Sequence, residues 1–448
     1  MTISRKNPRQ IAYDTLLRVL YDGAYSNIAI DKAIKENGLD KSQAAFTSAL
    51  FYGVLEASPK LDYAISHYLK KKITTLDKEV LVILRIGFYQ LLSMNSVPDN
   101  AAVDESVKLC MYARKTSAKG FVNAVLRSFL RDEKKIVLPD IKKDKWLHYS
   151  IEYSCPKWLL ELWYEQYDEE TAIALAKASL DRPPLTIRVN TLKTTADKLI
   201  GYLENRGVKA VKHDTLEDCL VIEHSGAIDK LPQYKQGLFY VQDVASQICA
   251  KVVDAKENQT VIDMCSAPGS KSFTIAQGMN NEGEIYAFDL FEHKLKLIND
   301  SAKRLGISII HTAIQDGTQM NGDIKKVDRV LCDVPCSGLG IIRRKPEIKY
   351  KSPQDLSGLP EIQYAILSNA SKYVKDGGYL IYSTCTVNKK ENDEVVNKFL
   401  AENILFKPLQ LSEKLDKMIS KENFSITLFP HKHNCDGFFI AAFEKVNP

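Results

Sequence analysis

The chain has 448 residues, too many for one ordinary core, so two or three domains are expected. With 45% hydrophobic and 26% charged residues, a polar basic start (MTISRKNPRQ) and no apolar run near bilayer length, it reads as a soluble cytoplasmic protein and not a membrane one. Nine cysteines without a C-x-x-C pair argue against a disulfide scaffold, and the net charge of +5 is uneven: residues 1–150 hold eight excess positive charges and the remainder three excess negative ones.

The first segment predicts helices. Ala12, Leu16, Val19 and Leu20 fall on one face, as do Leu61, Ile65, Tyr68 and Leu69. Val80–Leu92, VLVILRIGFYQLL, is apolar nearly all round and should be the central helix of a bundle. Pro98 breaks the pattern, and five or more helices are expected before Arg131. Charge-rich Asp132–Lys145 reads as a linker. This order of helices, with VPDNAAVDESVKLC and KGFVNAVLR as the nearest local matches, resembles the NusB-type RNA-binding fold. The basic residues of the last helices, Lys115, Lys119, Arg127 and Arg131, could meet phosphates; the bland reading is a solvated structural arm.

The second segment is mixed. Trp158–Tyr167, Thr171–Ser179 and Ala196–Asn205 read as helices; Leu185–Asn190, Gly207–Ala210 and Cys219–Ile222 read as strands or their approach. This unit resembles the RRM-like domain that precedes the catalytic domain in RNA cytosine methyltransferases, without the aromatic signature of a single-strand reader. Domain limits of 1–140, 141–235 and 236–448 follow.

From about Gln236 strand and helix alternate: Thr260–Met264, Lys271–Gly278, Glu284–Phe288, His293–Leu305, Ile307–Ala313, Arg329–Cys332 and Tyr379–Ser383. A doubly wound parallel sheet is predicted. Ligands of such sheets bind at the carboxyl ends of the strands. VIDMCSAPGSKS, Val261–Ser272, is a strand, a tight loop and a helix start, where backbone can approach an anionic ligand. Asp289 ends the next strand, 20 residues after Gly269, where nucleotide-binding units place an acid for a ribose hydroxyl. Asp316 should sit at a third strand end, near an adenine. The full G-x-G-x-x-G is absent, which disfavours NAD.

Two cysteines follow strands: Cys336 in RVLCDVPCSGLG and Cys385 in LIYSTCTVNKKEN. In the second stretch Asn388 and Glu391 predict a capped helix start. A thiol has no use in alkylating an exocyclic nitrogen, but it suits alkylation at carbon. Cytosine C5 is a poor nucleophile until a thiolate adds to C6 and turns C5 into an enamine carbon. That carbon takes a methyl group, a base removes the C5 proton, and the thiol is eliminated. The cysteine must be thiolate-prone and the base unstacked. Position alone does not rank Cys336 against Cys385.

CSAPGSK, DVPCSG and STCTVNKKEN, in this order, resemble the NOL1/NOP2/Sun family of RNA cytosine-C5 methyltransferases. With the NusB-like arm, the resemblance narrows to its Sun/Fmu (RsmB-type) branch, which acts on bacterial 16S rRNA. PLTIRVNTLK, GLFYVQDVASQ, IRRKPEIKY and DGFFIAAF add to it. The resemblance implies an α/β, Rossmann-like domain that uses S-adenosyl-L-methionine (AdoMet) and no metal, preceded by a NusB-like bundle and an RRM-like domain. It implies Cys385 as nucleophile and Cys336 as the residue of release. Cofactor contacts would fall on Cys265, Ser266, Ala267, Pro268, Gly269, Ser270, Lys271, Asp289, Asp316 and Asp333, the last also meeting the base. Ser270 departs from the family, which has glycine there, and an altered AdoMet affinity is expected. The implied partner is 16S rRNA, free or in an assembly intermediate, with a monomeric enzyme. A tRNA substrate and a catalytically silent RNA-binding factor are the alternatives.

The other thiols have plainer readings. Cys110, Cys155, Cys219 and Cys249 are expected in cores, and Cys265 and Cys332 as structural. His431, His433 and Cys435 match no standard zinc spacing and read as a substrate-side loop.

Overall fold

Helix α1 (Pro8–Tyr21) begins where Asn7 and Gln10 form a reciprocal capping box, and α3 (Lys41–Ser66) begins the same way at Asp40 and Gln43, with α2 (Ser26–Glu36) between them. The computed structural model describes residues 7–224, 226–322, 325–411 and 423–447. Next come α4 (Lys78–Ser93), α5 (Asp99–Tyr112), capped by Pro98, and α6 (Lys119–Arg131). The predicted central helix is α4: Val82, Ile83, Leu84, Ile86 and Phe88 are fully buried. Its one buried charge, Arg85, holds Asp62 of α3 through two hydrogen bonds of 2.7 and 2.6 Å. Gly53 lets α3 close on α4, because a Cβ there would stand 1.9 Å from the Tyr89 ring.

The chain divides into two compact units, Met1–Asp181 with Ile342–Pro353, and Arg182–Ile341 with Gln354–Pro448. Thus α7 (Lys145–Glu152), α8 (Lys157–Gln166) and α9 (Glu169–Ala178) lie in the first unit, and the sequence boundary at 140/141 falls inside it. The later segment Ile342–Pro353 is tied into the same unit. Lys349 is buried and donates to the Ser154 carbonyl (3.1 Å), Glu347 accepts from the Ser26 N–H (3.0 Å), and Tyr350 donates to the Leu55 carbonyl.

The second unit opens with an antiparallel sheet of β1 (Leu185–Val189), β2 (Lys209–Lys212), β3 (Cys219–His224) and β4 (Phe239–Val241), in the order β2-β3-β1-β4. Helix α10 (Ala196–Glu204) packs on it, and a short turn of helix, α11 (Pro232–Lys235), leads to β4. The β4 strand, inside GLFYV, is an addition to the sequence reading.

After α12 (Val244–Val253) come β5 (Thr260–Asp263), α13 (Ser270–Gly278), β6 (Glu284–Asp289), α14 (Glu292–Leu305), β7 (Ile310–Ile314), β8 (Val327–Asp333), α15 (Leu359–Ser371) and β9 (Val374–Thr384). Helix α16 (Asp393–Glu402), β10 (Phe406–Pro408), β11 (Ser425–Leu428), α17 (Pro430–His433) and β12 (Phe438–Lys445) complete the chain. The order is β10-β12-β9-β8-β5-β6-β7, with β11 on β12. Only β9 to β7 run parallel. Strand β12 enters antiparallel beside β9, so the sheet is mixed where an all-parallel one was predicted. Period-two alternation covers both faces. Val261, Leu331, Ile381 and Ile440 pack with α12–α14; Ile262, Val330, Leu380 and Phe439 pack with α15 and α16. The chain turns back on itself at β5, with β6 on one side and β8 on the other, so the switch-point crevice opens at the end of β5.

One local expectation is corrected. Helix α16 starts at Asp393 with Asn392 at the cap, and Asn388 with Glu391 makes no helix start. The two side chains bond each other (Asn388 Nδ2 to Glu391 Oε1, 2.9 Å), and Glu391 spends its other oxygen on a neighbouring loop.

Candidate active site

The loop Met264–Gly269 leaves β5 and enters α13. Gly269 caps that helix at φ +98°, and a Cβ there would meet the Phe273 ring at 2.6 Å, so both backbone and space call for glycine. Ser266 fastens the loop to the end of β6: its N–H and hydroxyl both donate to the Phe288 carbonyl, at 2.7 and 2.8 Å. Cys265 lies in the loop with its thiol pushed up by burial; Ala267 is half-buried, Pro268 exposed and Ser270 the first residue of α13. The Ser270 carbonyl accepts from Gln242 Nε2 and Thr274 Oγ1.

Acids mark the strand ends. Asp289 is buried at the end of β6, accepts the Phe291 N–H (3.1 Å) and lies 3.3 Å from Lys294 Nζ. Asp316 follows β7 in a turn; the Thr318 hydroxyl (2.7 Å) and N–H (2.9 Å) hold its pKa below the usual carboxylate value. Asp333 ends β8, accepts the Ser383 hydroxyl (2.8 Å) and pairs with Lys271 Nζ at 2.5 Å. Burial opposes the Lys271 charge, but Asp333 and the anions around it prevail and raise its pKa. Asp263, at the end of β5, was missed in the sequence. It is buried, takes the Ser272 hydroxyl at 2.6 Å, and burial lifts its pKa to about 7. An acid in an otherwise apolar strand, VIDM, was the available signal.

The two cysteines meet. Strands β8 and β9 are parallel neighbours with Asp333 beside Ser383, so the turns after them are adjacent. Cys336 Sγ and Cys385 Sγ are 3.2 Å apart, both half-buried. Three bonds lace the turns together: Ser337 and Thr386 hydroxyls at 2.8 Å, Gly340 N–H to the Cys385 carbonyl at 3.0 Å, and Ser337 N–H to Glu391 Oε2 at 2.8 Å. The bond to Cys385, then burial and neighbouring charge, hold the Cys336 thiol well above the ordinary cysteine value. By contrast Cys110, Cys155, Cys219, Cys249, Cys332 and Cys435 are fully buried. His433 Nδ1 accepts the Phe429 N–H and Cys435 donates to the Asp436 carbonyl, so these two residues face separate partners.

The residues fit AdoMet. The loop presents backbone at the N-terminus of α13, Asp289 offers a carboxyl group at the strand end where a ribose diol is bound in this architecture, and the exposed apolar side chains of Leu290 and Phe291 stand next to it.

A family model described as 16S rRNA methyltransferase RsmB/F matches residues 250–444; models of the NusB family and of the RsmF/B-like ferredoxin-like domain match 6–131 and 155–229. A probable ribosomal RNA small subunit methyltransferase B of Bacillus subtilis (strain 168) is 35% identical over 449 residues, covering 99% of this chain and 100% of the relative. This chain belongs to the RsmB/F methyltransferase family. A second protein named as a probable ribosomal RNA small subunit methyltransferase B, from Synechocystis sp., is 32% identical over 98% of this chain and 99% of the relative. The crystal structure of PH0851 superposes with a TM-score of 0.83 at 26% identity, covering 99% and 100% of the two chains. NSun6 from Pyrococcus horikoshii shares the fold over 65% of this chain and 99% of its own (TM-score 0.60, 24% identity). The three models mark NusB-like helices, a ferredoxin-like domain and a Rossmann-like methyltransferase domain in this chain.

Proposed function

We propose that this protein transfers a methyl group from AdoMet to C5 of a cytosine in 16S rRNA, with Cys385 as nucleophile and Cys336 as the residue of release. The observation that carries the reading is the pair of thiols 3.2 Å apart after two neighbouring parallel strands, an arrangement a passive RNA binder does not need. The names of the relatives supply the substrate class. AdoMet, which Cys265–Lys271, Asp289 and Asp316 would hold, would supply an electrophilic methyl group and leave as S-adenosylhomocysteine when its methyl–sulfur bond breaks. Asp333, fixed by Lys271 and Ser383, is the residue assigned to contact the base. The Cys385 thiolate adds to C6, C5 is alkylated, the C5 proton passes to a base, and the C6–S bond breaks to return the thiolate. The base must leave its stack to reach the thiols.

The test uses purified protein, radiolabelled AdoMet and deproteinised 16S rRNA from cells lacking the enzyme. Label on C5 of a cytosine, lost in Cys385→Ala while AdoMet still binds, is the expected result. Absence of label from naked 16S rRNA and from assembling small subunits alike would overturn the substrate, and label retained by Cys385→Ala would overturn the nucleophile.

A further inference from the structure

Glu391 has no place in the chemistry so far. It is fully buried, yet it lies between the two cysteine turns. Its Oε2 accepts the N–H of Ser337, the residue after Cys336, at 2.8 Å, and Gln363 Nε2 at 3.0 Å; its Oε1 accepts Asn388 Nδ2 at 2.9 Å. All three partners are N–H donors. A side chain that only accepts, from three donors, is bonded as an ionised carboxylate is. The donors come from the Cys336 turn, from α15 and from the segment after Cys385, so the charge is fixed with respect to both thiols.

Among the described residues, the titratable groups that bear on Cys336 include Cys385, Glu391 and Tyr382. Tyr382 donates its hydroxyl to the Glu391 carbonyl at 2.6 Å. None of these three groups is a cation. A negative charge beside one of two touching thiols makes ionisation costlier there. When one proton leaves the pair to solvent, the other stays on the thiol whose turn bonds the carboxylate and is shared with the thiolate 3.2 Å away.

We propose that Glu391 allocates the proton of the thiol pair: it keeps Cys336 as S–H, so that Cys385 is the thiolate. This rests on the reading of Cys385 as nucleophile and adds what enforces the choice. Glu391 is a positioning residue, acting through Ser337 and through charge, and touches no substrate.

The test needs no RNA. Wild-type protein and Glu391→Gln, both kept reduced, are alkylated with iodoacetamide from about pH 6 to about pH 10, and each cysteine is followed by peptide mass spectrometry. In the wild type the Cys385 rate should rise at lower pH than the Cys336 rate. In Glu391→Gln the Cys336 profile should move to lower pH, and its rate below the midpoint should rise about tenfold for every pH unit the profile moves. An unchanged gap between the profiles in a folded Glu391→Gln would reduce Glu391 to a structural tie and overturn the proposal. If that variant fails to fold, the wild type still decides: Cys336 titrating at or below Cys385 overturns it, and the reverse order supports it. A wild type that titrates as expected but labels no cytosine would leave the proton allocation standing and sink the proposed reaction instead.

Discussion

Cys336 and Cys385 differ in role because each needs a different protonation state at a different moment. Attack needs a thiolate, and release needs a second group near enough to help break the adduct, which a 3.2 Å separation allows. Cys336→Ala should therefore still attack and methylate but stall at release. A covalent protein–RNA complex, visible as a slow band on denaturing gels, should accumulate during turnover; free turnover without such a band would refute the division of roles. Asp263 gives a second prediction, on stability. Burial lifts its folded pKa to about 7, above the ordinary carboxylate range. A raised acid stabilises fully below its unfolded pKa, and that contribution is lost as pH rises through the folded value. The melting temperature of the wild type should thus fall between about pH 4 and about pH 7 relative to Asp263→Asn, by at least about 3 °C. Parallel curves for the two proteins would show that Asp263 is not the titrating group.

At the scale of elements, the site is the meeting of strand ends, and its tolerances are set by backbone contacts. Gly340 closes the Cys336 turn: its N–H reaches the Cys385 carbonyl, and its own carbonyl takes the Gly437 N–H at 2.8 Å. A Cβ on Gly340 would stand 1.9 Å from the Gly437 oxygen, a backbone atom with no rotamer to yield. Gly340→Ala should therefore push the start of β12 away and drag the Cys385 turn with it. Displacement of about 1 Å at a reacting centre costs on the order of 10²-fold in rate. Single-turnover methylation should drop by about that factor with AdoMet binding little changed; near-wild-type turnover would mean that the turn is softer than its contacts imply. The strands that form this site were legible in the sequence because period-two burial on both faces writes itself into Val261/Ile262 and Leu380/Ile381. Glu391 was not. Its spacing from Asn388 imitates a helix cap, and only the fold reveals that its partner is Ser337, 54 residues earlier. The antiparallel direction of β12 was not legible either, since strand direction follows from the connection before it and not from composition.

For the whole molecule, the segment Ile342–Pro353 shows where a local reading runs out. IRRKPEIKY entered the sequence reading only through the family resemblance, and nothing in its composition marks Lys349 as buried. Yet Lys349 is 1% exposed, bonded to a carbonyl nearly two hundred residues away in sequence, because the segment is built into the helical unit. Charge in that unit is also redistributed by the fold. Of the four basic residues proposed to meet phosphates, Lys115 is held by Asp77 at 2.8 Å and Glu79 at 3.4 Å. Arg127 and Arg131 are exposed and bond to neutral partners, Asn123 and Ser128. Counterion release then ranks them. Each phosphate contact contributes about 0.7 to 0.9 to the slope of log K against log salt, depending on whether the RNA is single- or double-stranded. If this unit grips RNA, Arg127→Ala and Arg131→Ala should each weaken binding and flatten that slope by about one contact. Lys115→Ala should leave the slope nearly as it was, because removing a lysine already neutralised by two acids releases few counterions. Titrations of 16S rRNA fragments at several salt concentrations measure all three. Equal slopes for Arg127→Ala, Arg131→Ala and wild type would return these helices to a structural role and shift the search for the RNA-binding surface to the catalytic unit.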